Sequence, residues 1–113
     1  MSKVPELDVK RLERFFSDRI PPHVRGEIQI AVTTRGRSVT LWECRPPWRS
    51  DLGEEWTRTE VAQLRYDVEH FTWTLFWADR NGKWLDYPGM PPTANFDRVI
   101  EEIDRDPHAC FWG

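Results

Sequence analysis

Three groups of side chains in this chain have types and spacings that could do chemistry. Glu43-Cys44-Arg45 places an acid two residues before a base on what reads as a strand. Metal-dependent nucleases use Glu-x-Lys in such a place to hold the ion and steady the attacking water. Here the base is an arginine, which stays protonated, and no Pro-Asp lies upstream, so a carboxylate-dependent hydrolase ranks last among the readings. Asp79 and Asp86 form the second group, beside Trp77 and Trp84, a combination suited to sugar stacking, cation recognition or paired acid/base work. The third is Arg45-Pro46-Pro47-Trp48-Arg49, in which two prolines fix the backbone and present a tryptophan between two arginines. Tryptophan and arginine are the side chains that dominate binding hot spots. Arg45, Trp48 and Arg49, with Trp42 nearby, are therefore the candidate binding residues.

Beyond these groups the catalytic vocabulary is thin. There is no Gly-rich phosphate loop, nucleophile elbow, Cys-His pair or metal-binding helix. Cys44 and Cys110 are the only two cysteines, too few for a disulfide framework and without the paired spacing of a zinc site, so both are expected reduced. His23, His70 and His108 fall beside Pro-Pro, at a turn and after Asp106-Pro107, places where histidine usually has no catalytic duty. No cofactor and no metal are expected, and binding is favoured over catalysis.

The 113 residues are 39% hydrophobic and 31% charged and include seven tryptophans, enough to bury a core in one domain spanning 1–113. A net charge of −3 disfavours strong non-specific binding to polyanions while leaving room for a local basic patch. No apolar run approaches the ~20 residues a membrane span needs, and the first residues turn charged before a signal peptide could form. A cytoplasmic protein with no membrane partner is the expectation.

These groups must be held by a small number of elements. Val9, Leu12, Phe16 and Ile20 share one helical stripe, which predicts an amphipathic helix over about 7–20, ended by Pro21-Pro22. Strands follow over about 26–88. Ile28, Ile30 and Val32 alternate with polar residues, and Val39 and Leu41 resume the alternation after Arg35-Gly36. With Arg35 and Gly36 as loop residues, Val32 faces Val39, Ile30 faces Leu41, Gln29 faces Trp42 and Ile28 faces Glu43. Glu43 then lies on the apolar face and needs a cation, with Arg65 the expected partner. A third strand runs from Trp56 to about Tyr66 with Ala62, Leu64 and Tyr66 on one face. Phe71 to Asp79 is the strongest strand signal, and Asn81-Gly82 reads as a two-residue type I′ turn. That turn sets Asp79 opposite Trp84 and Trp77 opposite Asp86, and puts Trp73, Leu75, Trp77, Trp84, Asp79 and Asp86 on one face. Phe96, Val99, Ile100 and Ile103 mark a second helix over about 95–105. The aromatic end, 108–113, is expected to dock. The expected fold is α+β, a five-stranded antiparallel meander with an N-terminal and a C-terminal helix packed on one face.

Arg45-Pro46-Pro47-Trp48, Arg65-Tyr66, Trp73 to Asn81, Trp84, Asp106-Pro107 and the terminal Phe111-Trp112-Gly113 together resemble a small bacterial family known only as a domain of unknown function, number three thousand and twenty-four. The resemblance covers roughly Arg25 to Gly113. It implies a free-standing small bacterial protein and carries over no catalytic residues. The leading expectation is therefore a binding module for a protein partner, acting through the Arg-Pro-Pro-Trp loop and aromatic surface. The alternative is single-stranded nucleic acid: seven arginines between Pro21 and Tyr66 face six acids, and if they gather with Trp42 and Trp48 on the sheet's outer face they can contact phosphates while the rings stack on bases.

Overall fold

The structure is a computed structural model that describes residues 4–47 and 55–112. Helix α1, Glu6–Asp18, starts after Pro5 and carries Glu6 and Asp8 in its first turn, where the helix dipole favours acids. It stops one turn short of Pro21, and Pro22–Val24 make a short 3-10 turn leading into the sheet. Five strands follow: β1 Gln29–Arg35, β2 Ser38–Arg45, β3 Thr57–Asp67, β4 Thr72–Ala78 and β5 Trp84–Asp86. They pair antiparallel in the order β1-β2-β3-β4-β5, the expected meander. Helix α2, Phe96–Arg105, is opened by the Asn95 side chain accepting from the Asp97 amide.

Both helices lie on one side of the sheet. Leu12 and Phe16 of α1 and Phe96, Val99 and Ile103 of α2 share a single buried cluster with Val39, Leu41, Ala62, Leu64, Trp73 and Leu75, the inward set of the central strands. Trp73 is its largest member, 1% exposed, with Phe96 and Tyr66 against its ring and its indole N–H donating to Asp8 at 3.3 Å. Arg19–Asp104 and Arg11–Asp97 ion pairs tie the helices to each other at the surface.

The tail docks through Asp106. This residue caps α2 in a left-handed conformation (φ 44°), and its carboxylate accepts from the backbone amides of Cys110, Phe111 and Trp112. Phe111 then packs on Tyr87, and Trp112 packs on Phe16 while donating to the Ile103 carbonyl.

Both hairpin registers differ from the sequence expectation. In the first, Gly36 and Arg37 are the loop residues, so Val32 faces Leu41, Ile30 faces Glu43 and Ala31 faces Trp42. Gly36 has φ +59° and takes the first central position, where a type II′ turn wants glycine. The slip is two residues, so every side chain keeps its expected face. In the second hairpin the slip is one. Trp77 faces Leu85 and Ala78 faces Trp84, because the loop is Arg80-Asn81-Gly82 rather than Asn81-Gly82 alone. Asp79 causes this: its Oδ1 accepts from the amides of Asn81 and Lys83, at 2.8 and 2.9 Å, and Gly82 at φ +79° closes the wider loop. A one-residue slip turns the whole of β5 over, so Trp84 and Asp86 lie on the face away from the helices, opposite to Trp77 and Leu75.

Candidate functional site

The face of the sheet that no described helix covers is built by alternation and by one irregularity. Thr33 and Arg35 of β1 and Ser38, Thr40 and Trp42 of β2 point to it by ordinary period-two geometry. On β3, Leu41 pairs with Ala62 but Trp42 pairs with Glu60, so Val61 is an extra residue, a β-bulge. The bulge resets the alternation and puts Arg58 and Glu60 on the same face as Gln63 and Arg65. Phe76 and Ala78 of β4 and Trp84 and Asp86 of β5 complete it.

Cross-strand neighbours form bands on this face. Arg35, Ser38, Arg65 and Thr74 lie across one end. Thr33, Thr40, Gln63, Phe76 and Asp86 form the middle band, followed by Trp42 with Glu60, then Arg58 beside Cys44. Two arginines rest on aromatic rings: Arg58 lies 4.1 Å from the centre of the Trp42 ring and Arg65 3.9 Å from that of Phe76. A hydrogen-bonded network underlies them. Trp42 donates to the Thr33 hydroxyl at 2.7 Å, Gln63 donates to the Thr40 hydroxyl at 3.1 Å, and Arg65 donates to the Gln63 carbonyl at 2.8 Å. A shallow cavity of about 470 Å³ opens here, with Thr33, Ser38, Thr40 and Gln63 beneath and Arg35, Arg58, Trp42 and Trp84 around it.

The expected binding set is divided. Trp42 faces outward, whereas Arg45 follows Glu43 on the helix side of β2; Trp48 and Arg49 lie outside the described residues. Glu43 pairs with Arg45, Nε to Oε1 at 2.7 Å, and not with Arg65, which is committed to Gln63 and Phe76. The pairing is local because Glu43 sits where the core thins towards the end of β2 and keeps 21% side-chain exposure, within reach of solvent and of its own strand.

The Trp/Asp group is divided as well. Trp77 and Asp79 line a wider groove of about 1030 Å³ with Tyr87, His108 and Cys110, between the β4–β5 hairpin and the tail. Asp86 and Trp84 face the other way. Burial, then the nearby Asp106 charge, push the Cys110 thiol in this groove above the pKa of an ordinary cysteine. Asp67, Glu69 and His70 gather at the exposed β3–β4 turn, but the Asp67 carboxylate is already taken by the Glu69 and His70 amides and the His70 ring.

Thr33, Thr40, Gln63 and Phe76 were not singled out as site residues in the sequence, and Arg58 was counted only among the seven arginines that could gather with Trp42 on the outer face. Thr33, Thr40 and Phe76 follow from alternation once the registers are known, but Arg58 joins Arg65 only through the Val61 bulge.

Comparison with known proteins returns one family. The model of the family described as Domain of unknown function (DUF3024) matches residues 1–113, the family that the Arg-Pro-Pro-Trp and Phe-Trp-Gly motifs resemble. No curated protein and no solved structure matches the chain.

Proposed function

We propose, on the premise that the chain belongs to the DUF3024 family, that it is a binding module taking single-stranded nucleic acid on the helix-free face of its sheet. The family description assigns no activity, so the reading rests on the site. The observation that carries it is the pair of arginine–aromatic stacks, Arg58 on Trp42 and Arg65 on Phe76, on the one sheet face that no described helix covers. Arginine and aromatic planes are the platforms on which unpaired bases stack, and guanidinium groups at the rim meet phosphates. The acids of α2 are on the other side of the sheet, and on this face Arg35, Arg58 and Arg65 outnumber Glu60 and Asp86, so the net charge of −3 does not describe it. Such a role would belong to the bacterial cytoplasm; among the described residues no helix is long and apolar enough to cross a membrane.

Titration of tryptophan fluorescence with short mixed-sequence oligonucleotides at low salt tests the reading. Quenching is expected, with affinity falling steeply as salt rises and dropping about tenfold in Trp42→Ala, while Trp77→Ala on the helix side leaves it unchanged. Absence of quenching at low salt would overturn it.

A protein partner is the second reading, favoured by the same preassembled arginine–aromatic pairs, since these side chains concentrate binding energy at protein interfaces. It predicts a complex that survives nuclease, depends weakly on salt and is lost in Trp42→Ala.

A further inference from the structure

The cavity on the sheet face has an uneven supply of donors and acceptors. The Thr33 oxygen already accepts from the Trp42 indole, and the Thr40 oxygen accepts from the Gln63 amide. The Gln63 carbonyl in turn accepts from Arg65 Nε. Each hydroxyl is thereby turned so that its proton is left to give, and neither finds an acceptor among the described residues. Thr40 lies at the bottom, 7% exposed, where a ligand group would meet its hydroxyl away from bulk water. The Arg35 guanidinium at the rim adds donors and no acceptor.

A base edge that enters such a place must bring acceptors. At the 4 position cytosine carries an amine, as adenine does at its 6 position, and neither can accept from the Thr40 hydroxyl there; thymine and uracil carry a carbonyl instead, and guanine, whose O6 also accepts, brings a second ring. An unpaired buried donor is costly, more so than a hydrogen bond is favourable. Resting on the single-stranded nucleic-acid reading, we infer that this cavity is a base subsite selective for thymine or uracil, with the Thr40 hydroxyl donating to a ring carbonyl and Trp42 and Trp84 flanking the base. The cavity of about 470 Å³ is within the ordinary range for small-ligand clefts.

The comparison that tests the carbonyl is thymine against cytosine, because both are single-ring bases and carry a carbonyl or an amine at the 4 position, and the Thr40 variants then separate that contact from the differences at N3 and the 5-methyl group. Fluorescence anisotropy with labelled oligothymidylate and oligodeoxycytidylate is expected to show about tenfold tighter binding of the thymidylate. Thr40→Val, of the same shape without the hydroxyl, should bring the ratio near unity with the salt dependence unchanged; Thr40→Ser, which keeps the hydroxyl, should preserve the preference. Equal binding of the two oligonucleotides by the native protein would overturn this inference and leave the nucleic-acid reading standing. Binding of neither would overturn both. A thymine preference that persists in a folded Thr40→Val would remove the threonine from the recognition.

Discussion

The Tyr87 hydroxyl, one residue past β5, donates a buried hydrogen bond to Glu102 in α2, and Arg98 holds the other oxygen of that carboxylate at 2.7 Å. This polar contact inside the core joins the end of the sheet to the C-terminal helix. Burial alone would raise the Glu102 pKa, but the Tyr87 and Arg98 hydrogen bonds, with the Arg98 and Arg105 charges, outweigh it and lower the value. Burial, followed by the hydrogen bond and charge of Glu102, raises that of Tyr87.

Stability should therefore depend on pH at both ends. A lowered carboxylate contributes stability at neutral pH that is lost as pH falls through its folded value, below about 4. A raised phenol contributes stability that is lost as pH climbs above about 10 towards its folded value. Tyr87→Phe is expected to cost about 1.5–3 kcal/mol at neutral pH, to flatten the alkaline decline and, by letting the folded Glu102 pKa rise towards its unfolded value, to shrink the acid decline. Urea unfolding over a pH series checks this; an alkaline decline as steep as in the native protein would contradict it.

Asp106 performs two tasks: its left-handed backbone caps α2, with its amide donating to the Glu102 carbonyl, and its carboxylate gathers three tail amides. Asp106→Ala is expected to destabilise by about 2–4 kcal/mol, since charged acceptors are worth more than neutral ones and the amides are left unpaired. Asp106→Asn, which keeps an acceptor oxygen and tolerates the left-handed backbone, should recover part of the loss. Hydrogen exchange at Phe111 and Trp112 should accelerate in the alanine variant; unchanged protection would mean that ring packing alone docks the tail.

Gly82 carries a second constraint beyond its φ of +79°. A Cβ there would come within 3.3 Å of Glu60 Oε1 across the sheet, whereas one at Gly36 meets nothing within 4 Å. Gly36→Ala should cost about 1 kcal/mol of backbone strain. Gly82→Ala should cost more than that, with the excess recovered by adding Glu60→Ala, as thermal melts of the single and double variants would show. An equal cost at the two glycines would place the whole effect in the backbone.

What the sequence made legible follows from which patterns have a period. The meander, both helices, the docked tail and the inward set Val39, Leu41, Leu64, Trp73 and Leu75 all follow from apolar spacing. The slip in the first hairpin was harmless because two residues preserve the faces. In the second, Asn81-Gly82 is a strong two-residue signal, but the Asp79 side chain satisfies two amides further along and enlarges the loop, which turned Trp84 and Asp86 to the other face. The bulge at Val61 has no signature in residue type, so although Arg58 and Arg65 were both among the arginines that could gather on the outer face, their odd separation of seven gave no reason to place them together. Side-chain partners were the least legible: Glu43 was placed on the correct face, but its choice between Arg45 and Arg65 depended on how far the core extends.

That choice changes the expected energetics. An acid buried with Arg65 would have cost roughly 3–5 kcal/mol to uncouple. The actual partner, Arg45, is 61% exposed, and Glu43 keeps 21% exposure, so solvent screens the pair and Arg45→Ala should cost less than about 1 kcal/mol. Arg65→Ala should act elsewhere: it removes the stack on Phe76 and frees the Gln63 carbonyl, at about 0.5–1.5 kcal/mol. The two losses should add in Arg45→Ala/Arg65→Ala, because the residues serve different partners on opposite faces of the sheet. Chemical denaturation of the three variants decides it. Strong non-additivity, or a large loss at Arg45 alone, would show that Glu43 is buried and shared between the arginines.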